Sequence, residues 1–483
     1  MRVHLPFFIV ALLLALIYSL TLAPGISWAN QGADSGELIS AAYTGGVAHP
    51  PGYPLYLGLA WLAQRILPGE LALRTNLLSA FFAILTALGL QTWLRRLDVP
   101  APLAALGALG LGLAPAVWGQ AVISEVYTLQ LFLTVLVLMQ APAGTAFVGR
   151  MSWPRNWPVS DLLRGLVYGL ALGNHATSLF LAPALWFDFT PGRGRPLWRM
   201  FVRFGAAGLT ALALYATLLL RGAGDAPVNW GRVDSLPRLW WLMSGGSYTA
   251  SLSVSASILE KIPELLALLA GAGWPLLLLA GLSLLLVRGF EILKRLTLVL
   301  LALHLLFGLS YATRDWQVNL LPVFLLASLW LGIGLARLPG LLWPARQGQL
   351  RIGLALLAGL SLAWSAWRAW PLVDASRDTR AADFAAVVLN GVAPGSLVFT
   401  NEDRDTFALW YYHYSLGQRP DIVILPIGML KYDWQREVLR VTYPDVVIPD
   451  QAEYNFRQAI ISANPSRPVC AVFIEPQTAF LCR

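Results

Sequence analysis

Asp34-Ser35-Gly36-Glu37, followed by Ala48-His49-Pro50-Pro51-Gly52-Tyr53-Pro54, is the stretch that says most about the fold of this chain. It begins just beyond the first apolar segment, residues 6–23, of a chain that is rich in such segments. Carboxylates at a membrane are costly, so this pair indicates a functional site. One local alternative stays open at this point, because Asp34 and Glu37 also have the spacing of a helix N-cap and its capping-box partner.

The composition around this stretch is typical of a polytopic membrane protein. Hydrophobic residues make up 57% and charged residues 12% of the 483 residues, whereas soluble domains average about 25% charged residues. The arginines behind the net charge of +8 lie in short segments between apolar runs, as they do in cytoplasmic loops. This pattern argues against a nucleic-acid partner and for contact with membrane lipids. Residues 1–23, with Arg2 before the first apolar run, resemble a signal peptide. The many later apolar runs instead predict that this first helix is not cleaved off.

Ten apolar runs are candidates to cross a membrane, given about 20 residues per helix. They are residues 6–23, 74–94, 102–120, 123–141, 162–187, 201–220, 264–287, 296–310, 317–336 and 351–370. The longest, 162–187, crosses once or twice, and Gly173-Asn174-His175 is its natural break.

The arginine-rich segments decide between these two topologies. They contain Arg2, Arg95 and Arg96, Arg150, Arg155 and Arg164, Arg193, Arg195, Arg199 and Arg203, Arg288, Lys294 and Arg295, and Arg337, Arg346 and Arg351. All of them fall on the cytoplasmic side only if residues 162–187 cross twice. The sequence therefore predicts about 11 transmembrane helices, with the amino end in the cytoplasm and the carboxyl end outside.

The predicted domains are a transmembrane domain over residues 1–371, with its first outer loop at 24–73, and an extracytoplasmic α/β domain over 372–483. Within the second domain, helical patterns at 381–389, 406–415 and 434–441 alternate with strand patterns at 396–400, 421–427, near Val446 and at 469–475, which predicts a small sheet flanked by helices. No glycine-rich phosphate motif follows a strand, so a nucleotide is not expected. Cys470 and Cys482 are the only cysteines; a disulfide and two unpaired buried thiols both stay open.

The topology gathers polar clusters that are unusual for a membrane protein at one face, the outer one. These clusters are residues 34–53, Ser124-Glu125-Val126-Tyr127, Asn174-His175, Asn229-Trp230-Gly231 with Tyr248, and residues 311–317 with Arg314 and Asp315. Their convergence predicts a single site. Two structural interpretations of these residues stay open. Glu125 can favour a helix N-terminus, and the tryptophans can belong to an interfacial aromatic belt.

The opening motif, together with Leu55 and Arg74-Thr75-Asn76-Leu77, resembles the signature of the protein O-mannosyltransferase-like membrane proteins. Further similar motifs are Gln120 to Tyr127, Asn174-His175, Asn229-Trp230-Gly231, Asp315 with Leu321-Pro322, Asp403 to Tyr411, and Arg419-Pro420-Asp421. The resemblance implies a glycosyltransferase-C-like fold and transfer of mannose or a similar hexose from a polyprenyl-phosphate donor, with inversion at the anomeric carbon. Asp34 falls on the catalytic position and Glu37 on the second acid. The acceptor, a hydroxyl of a protein, glycan or lipid, is not specified.

The site roles follow from this chemistry. Asp34 is predicted to be the general base, and Glu37 to bind sugar or acceptor hydroxyls or to tune Asp34 by like-charge repulsion. For the leaving phosphate we favour Arg314 over Arg74 and Arg404, because a guanidinium suits phosphate oxygens. The predicted substrate-binding residues are His49, Tyr53, Glu125, Tyr127, Asn174, His175, Asn229, Trp230, Arg314 and Asp315.

No cofactor is expected, although His49 and His175 with the carboxylates are a conceivable divalent-cation site that the spacing does not demand. A competing function is a transporter or flippase of a lipid-linked or anionic substrate, with Asp34, Glu125 and Asp315 as coupling groups; such proteins commonly contain repeats, and none is evident here. A receptor-like scaffold would leave the membrane acids unexplained. The excess of arginine over lysine favours a bacterial origin and a plasma-membrane location.

Overall fold

The computed structural model describes residues 5–141, 159–186, 197–251, 257–451, 455–474 and 479–482. Arg2, Arg150, Arg155, Arg193 and Arg195, which entered the topology prediction, lie outside these residues. The first sixteen α-helices are α1 (Leu5–Thr21), α2 (Ser35–Thr44), α3 (Pro54–Ile66), α4 (Leu71–Arg96), α5 (Ala101–Gly112), α6 (Pro115–Ala121), α7 (Tyr127–Leu138), α8 (Val159–Leu172), α9 (Ala182–Trp186), α10 (Trp198–Gly222), α11 (Leu236–Met243), α12 (Ser257–Ala272), α13 (Trp274–Leu286), α14 (Glu291–Ser310), α15 (Leu321–Leu342) and α16 (Gln347–Val373).

Several of these helices can cross a membrane, so the chain is a multi-pass membrane protein. Among the described residues, α4, α10, α14, α15 and α16 are long and apolar enough, and two bent pairs bring the number to seven. The pair α5 and α6 bends by 70° and the pair α12 and α13 by 93°. Pro115 begins α6 and disfavours a helical residue before it. The number of eleven crossings and the sidedness stay predictions.

The run 162–187 is interrupted where the sequence predicts it. Helix α8 ends at Leu172, Gly173-Asn174-His175 follow, and a 3-10 turn at Ala176–Leu181 leads into α9. Helix α8 then packs closely on α10. A Cβ atom at Gly165 would lie 2.4 Å from the carbonyl oxygen of Arg203, and one at Gly169 would lie 2.6 Å from that of Ala207. Small residues four apart thus let two helix backbones touch.

The sequence analysis placed the arginines of α10 in a loop, but the structure places them within the helix. Arg199 and Arg203 belong to this helix, and each donates a 2.6 Å hydrogen bond to the carboxylate of Asp161 on α8. Arg203 is 1% exposed, and a buried arginine needs such a partner. The pair of ion pairs ties α8 to α10 at the end opposite Gly173.

The C-terminal part is a four-stranded sheet with helices around it. Its elements are α17 (Arg380–Gly391), β1 (Leu397–Thr400), α18 (Asp403–Trp410), β2 (Val423–Pro426), α19 (Asp433–Thr442), α20 (Phe456–Ala463), β3 (Val469–Phe473) and β4 (Ala479–Cys482). The strand order is β2-β1-β3-β4; β1 runs parallel to β2 and β3, and β4 is antiparallel to β3. Parallel pairs need crossover helices between them, and α18 provides the one between β1 and β2.

Two sequence predictions for this part need correction. The strand predicted near Val446 is irregular chain, in which Val446 and Ile448 are buried against the sheet without pairing to it; burial explains the apolar pattern that suggested a strand. The sequence analysis also missed α20 and β4. Cys470 and Cys482 are opposite each other on β3 and β4 and form a disulfide, which decides between the two open alternatives.

Helix α2, which carries the opening motif, is packed directly against the C-terminal part. A Cβ atom at Gly36 would lie 2.3 Å from the carbonyl oxygen of Phe407 in α18, so no other residue fits there without a shift. The hydroxyl of Ser415 donates a 2.9 Å hydrogen bond to that of Ser40. The C-terminal part therefore lies directly beside the helix at whose start Asp34 stands.

Candidate active site

The segment between α1 and α2 places Asp34 at the start of α2, where a helix cap would stand. Its side chain nevertheless accepts no hydrogen bond from the first turn of the helix. Asp34 keeps 26% of its side chain exposed. The capping alternative is thus not realised, and the carboxylate of Asp34 is open to a cleft.

Glu37 points in a different direction, into the protein. It is fully buried, and its carboxylate accepts a 2.7 Å hydrogen bond from the backbone N–H of His49 and lies 2.8 Å from the Nδ1 atom of the same residue. Contact of Glu37 with sugar or acceptor hydroxyls, one of the two roles predicted from the sequence, does not fit this burial. Glu37 instead orients the ring of His49.

His49 stands between the two acids. Its Nε2 atom lies 3.8 Å from Oδ2 of Asp34 and 3.0 Å from the hydroxyl of Tyr53. Burial alone would lower the pKa of His49, but the negative charges of Glu37 and Asp34 outweigh it and raise this pKa to about 10. His49 is therefore an imidazolium at neutral pH.

Asp34 has the acid–base property that a general base needs. Burial raises its pKa to about 7, against the opposing effect of the His49 charge, and the carboxylates of Asp403 and Asp315 add to the increase. A base with a pKa near the working pH is half-ionised there and accepts a proton readily. Strongly shifted carboxylates in clefts are characteristic of functional sites.

Aromatic rings surround this acid–imidazolium group. The ring of Tyr53 is stacked on that of His175, with centroids 5.8 Å apart, and His49 meets Trp230 at 6.1 Å and Tyr248 at 5.9 Å edge to face. Tyr53, between Gly52 and Pro54, has a left-handed backbone conformation. These rings pack around His49 and form a wall of the cleft.

Tyr127 continues the wall toward the segment before α15. Its ring lies 5.7 Å from that of His175, and its hydroxyl is 3.5 Å from a carboxylate oxygen of Asp315. Glu125 is 4% exposed and interacts electrostatically with Asp34 and Asp315. The structure thus brings members of all five predicted outer clusters to one cleft.

Two predicted substrate-binding residues lie behind the cleft instead. The amide of Asn174, with no exposed surface, donates to the carbonyl oxygen of Val126 and to Gln130. The amide of Asn229, 3% exposed, donates to the carbonyl oxygens of Gly222 and Gly224. Both side chains support loops that carry other site residues.

Arg314 remains open at the rim of the cleft. Its side chain is 84% exposed, and Nη1 lies 3.5 Å from Oε2 of Glu402, next to α18. Arg74, by contrast, donates to the carbonyl oxygens of Gly69 and Gln64, a structural role. Arg404 approaches the same Glu402 at 3.2 Å.

The sequence analysis missed three site residues. Lys261 of α12 donates to the carbonyl oxygens of Leu309 and Tyr311 at 3.0 and 2.6 Å, and Glu264 accepts from Trp316 and Gln317 at 3.1 and 3.2 Å. They hold the segment with Arg314 and Asp315. Charged residues at the edge of the apolar run 264–287 were the available signal.

The third missed residue is Asp403, the first residue of α18. It lies outside the transmembrane part, and the surrounding protein atoms, which displace part of its water, raise its pKa although the charge of His49 opposes this. Its side chain is exposed. The sequence analysis included it only within the motif from Asp403 to Tyr411, because its interaction with Asp34 depends on how α18 packs on α2.

A metal site was left open by the sequence. Among the described residues, no group of three or more His, Cys, Asp or Glu side chains is arranged to hold a metal ion. The candidate ligand His49 has both ring nitrogens next to Glu37 and Tyr53. The expectation that no cofactor is required stays a prediction.

Comparison with known proteins gives two family matches. Residues 34–190 match the N-terminal domain of protein O-mannosyl-transferase TMEM260, and residues 381–455 match TMEM260-associated domain 2. The first match begins at Asp34, and the second covers α17 to α19. The two matched segments are those that meet at Gly36 and Phe407.

Two curated relatives agree with these matches. The chain is 24% identical to protein O-mannosyl-transferase tmem260 of Dictyostelium discoideum over 87% of its own length, and 25% identical to TMEM260 of Mus musculus over 90%. It spans 56% and 64% of the lengths of these relatives. Both are eukaryotic, so a bacterial origin and a plasma-membrane location stay predictions.

A solved structure shows the fold. The chain superposes on ArnT from Cupriavidus metallidurans bound to undecaprenyl phosphate with a TM-score of 0.62, 13% identity and coverage of 96% of this chain and 92% of the other. The glycosyltransferase-C-like architecture implied by the sequence is therefore confirmed. Together with the two domain matches, this confirms the resemblance noted in the sequence: residues 34–190 and 381–455 are similar to the N-terminal domain and to associated domain 2 of the TMEM260 protein O-mannosyl-transferases.

Proposed function

We propose that this protein is a membrane glycosyltransferase that moves mannose or a similar hexose from a polyprenyl-phosphate donor to a hydroxyl acceptor. The observation that carries the proposal is the open carboxylate of Asp34, with its pKa near 7, beside an imidazolium that a buried glutamate holds in place. The names of the TMEM260 relatives support sugar transfer to protein hydroxyls.

The donor class is supported by the fold. The ArnT structure with the same architecture is bound to undecaprenyl phosphate, a polyprenyl phosphate. A donor of this kind is anchored in the bilayer and presents its sugar at the membrane surface. The cleft around Asp34, between membrane helices and the C-terminal part, is suited to such a substrate.

The proposed reaction is a single displacement at the anomeric carbon. The acceptor oxygen forms a bond to this carbon while the bond from carbon to the phosphate oxygen breaks, so the configuration inverts. Asp34 takes the proton of the acceptor hydroxyl, and the polyprenyl phosphate leaves with the electron pair of the broken bond. A positioned base of this kind contributes roughly 10²–10⁴ in rate.

Positive charge in the cleft stabilises the negative charge that develops on the leaving phosphate. His49 is a cation 3.8 Å from Asp34, and Glu37 keeps it charged and oriented. Arg314 is a second cation at the rim, where its guanidinium can exchange Glu402 for phosphate oxygens. We assign Glu37 to positioning rather than to contact with the substrate.

The aromatic rings have a role in sugar binding. Tyr248 keeps part of its surface open beside His49, and Tyr127 and Asp315 together offer a hydroxyl and a carboxylate. Such groups hydrogen-bond sugar hydroxyls, while ring faces cover the apolar side of a hexose. The acceptor is expected to approach from the side of Asp403, outside the membrane.

The test is transfer by the purified full chain. The protein is reconstituted in liposomes with a polyprenyl-phosphate-linked radiolabelled mannose and a serine- and threonine-rich peptide. We expect label in the peptide and, by NMR of the product, an anomeric configuration opposite to that of the donor. Label that stays on the lipid, or that crosses the bilayer unreacted, would contradict the proposal, and crossing would favour a flippase.

A further inference from the structure

Asp378 lies in the short segment between α16 and α17, and its side chain contacts the segment between α1 and α2. One oxygen of its carboxylate, Oδ2, accepts three hydrogen bonds. They come from the hydroxyl of Ser27 at 2.7 Å and from the backbone N–H groups of Trp28 and Ala29 at 2.9 and 2.7 Å. The side chain of Asp378 is 8% exposed. A single carboxylate therefore holds three consecutive residues of the segment that leads to Asp34.

The carboxyl group of Asp378 is charged, which strengthens these bonds. Arg380 donates to Oδ1 from Nε at 2.6 Å and to Oδ2 from Nη2 at 3.2 Å. Burial would raise the pKa of this carboxyl, but the hydrogen bonds from Arg380, Ser27 and Ala29 outweigh it and lower the pKa to about 2. Asp378 is therefore ionised at neutral pH, and hydrogen bonds to an ionised acceptor are roughly twice as strong as neutral ones.

Two residues with unfavourable backbone angles directly follow the residues that Asp378 holds. Asn30 and Gln31 are left-handed, with φ of 53° and 65°, a conformation that disfavours residues other than glycine. It persists only where the surrounding structure imposes it. Here the side-chain amide of Asn30 donates to the carbonyl oxygen of Val373 at 2.9 Å. The chain before α2 is thus held in its bent path by the end of α16 and by Asp378.

We propose that Asp378 is a positioning residue for Asp34, an inference that rests on the proposed sugar transfer. The side chain of Asp34 accepts no hydrogen bond from the first turn of α2, so its position depends on the backbone that leads to it. Asp378 fixes that backbone at Ala29, shortly before Asp34. It thereby keeps the carboxylate of Asp34 at 3.8 Å from Nε2 of His49. A misplacement of about 1 Å can cost roughly 10²-fold in rate.

The first measurement is amide hydrogen exchange of the full chain, which does not depend on sugar transfer. Asp378→Asn removes the charge and keeps the shape of the side chain. We expect the N–H groups of Trp28 and Ala29 to exchange roughly tenfold faster in this variant, because their acceptor is no longer charged. The control is Asp445→Asn, at an aspartate of the C-terminal part that is paired with Arg467 and is 70% exposed. It should keep the wild-type exchange rates.

The second measurement is the pH dependence of kcat/KM, which distinguishes positioning from stability. Loss of folded protein lowers the whole profile without moving it along the pH axis. In Asp378→Asn we expect kcat to fall roughly 10–100-fold. The acid limb should also move to higher pH, by roughly half a pH unit for each ångström that Asp34 moves away from the His49 charge. Ser27→Ala, which removes one of the three donors and leaves the charge of Asp378, should give smaller changes in the same direction.

Two outcomes would overturn the positioning role. One is wild-type exchange at Trp28 and Ala29 in a folded Asp378→Asn protein; the other is a profile of kcat/KM that is lowered or unchanged but not shifted, which would leave Asp378 a merely structural contact. If Asp378→Asn does not fold, Ser27→Ala decides by the same two measurements. The two failures are distinguishable, because a wild type without sugar transfer contradicts the proposed function, whereas transfer with superimposable wild-type and Asp378→Asn profiles contradicts only the positioning role.

Discussion

Glu37→Gln separates the charge of the buried glutamate from its shape. The amide is nearly isosteric with the carboxylate and can still accept the hydrogen bond from the backbone N–H of His49. What is lost is the negative charge that faces Nδ1 of His49 across 2.8 Å. The substitution therefore tests whether Glu37 acts by keeping His49 charged.

The magnitude follows from Coulomb's law. With the two charge centres about 4 Å apart and an effective dielectric constant near 20, the lost attraction is about 4 kcal/mol, which corresponds to roughly a 10³-fold change in the protonation equilibrium of His49. The pKa of His49 should thus fall from about 10 toward the ordinary imidazole value. Because the imidazolium lowers the pKa of Asp34, that pKa should rise above its wild-type value of about 7.

The assay is the pH dependence of kcat/KM, which reports groups of the free enzyme. In the wild type, activity should rise as Asp34 ionises near pH 7 and fall as His49 loses its proton near pH 10. In Glu37→Gln, the acid limb of the profile should shift to higher pH and the alkaline limb to lower pH. The maximum of kcat/KM should therefore be narrower and lower than in the wild type. Glu260→Gln, at an exposed glutamate of α12, is the control and should keep the wild-type profile. Superimposable profiles for Glu37→Gln and wild type would refute the reasoning.

Three further changes test how the site is built. Gly36→Ala should lower stability by about 1–3 kcal/mol and reduce transfer, because its Cβ would meet the Phe407 carbonyl oxygen; Gly58→Ala, where a Cβ meets nothing within 4 Å, should be silent, and equal melting curves would contradict the close packing. Cys470→Ser should cost the C-terminal part roughly 3 kcal/mol by loss of the disulfide, seen as faster proteolysis, and unchanged proteolysis would count against it. Lys261→Met should reduce kcat/KM roughly 10–100-fold with Lys261→Arg recovering part of it, because the lysine holds the segment before α15 by donating to its carbonyl oxygens; unchanged kcat/KM in Lys261→Met would contradict this role.

The sequence predicted the parts of the fold that depend on local pattern. The apolar runs, the break at Gly173-Asn174-His175 and the alternation of helices and strands after residue 380 all appear in the structure. The strand predicted near Val446 was wrong because a buried loop residue and a strand residue have the same apolar character. Strand β4 was missed because its pairing with β3 depends on partners that are distant along the chain.

The site was predicted as a set of clusters but not as an arrangement. The sequence brought Asp34, His49 and Tyr53 to attention, yet it could not indicate that Glu37 turns inward to His49 or that Asn174 donates to backbone. Those facts depend on side-chain direction within a packed core. The contribution of Asp403 depends on how α18 docks on α2, which no local pattern encodes.

The central claim is that Asp34 is the base of a sugar transfer, and Asp34→Asn tests it most directly. Transfer from a polyprenyl-phosphate-linked sugar by the purified variant is compared with wild type and with Asp225→Asn, an exposed aspartate of the loop after α10. We predict a loss of roughly 10²–10⁴ in turnover for Asp34→Asn, with unchanged melting temperature and donor binding, and normal turnover for Asp225→Asn. Near-normal turnover of a folded Asp34→Asn protein would contradict the account.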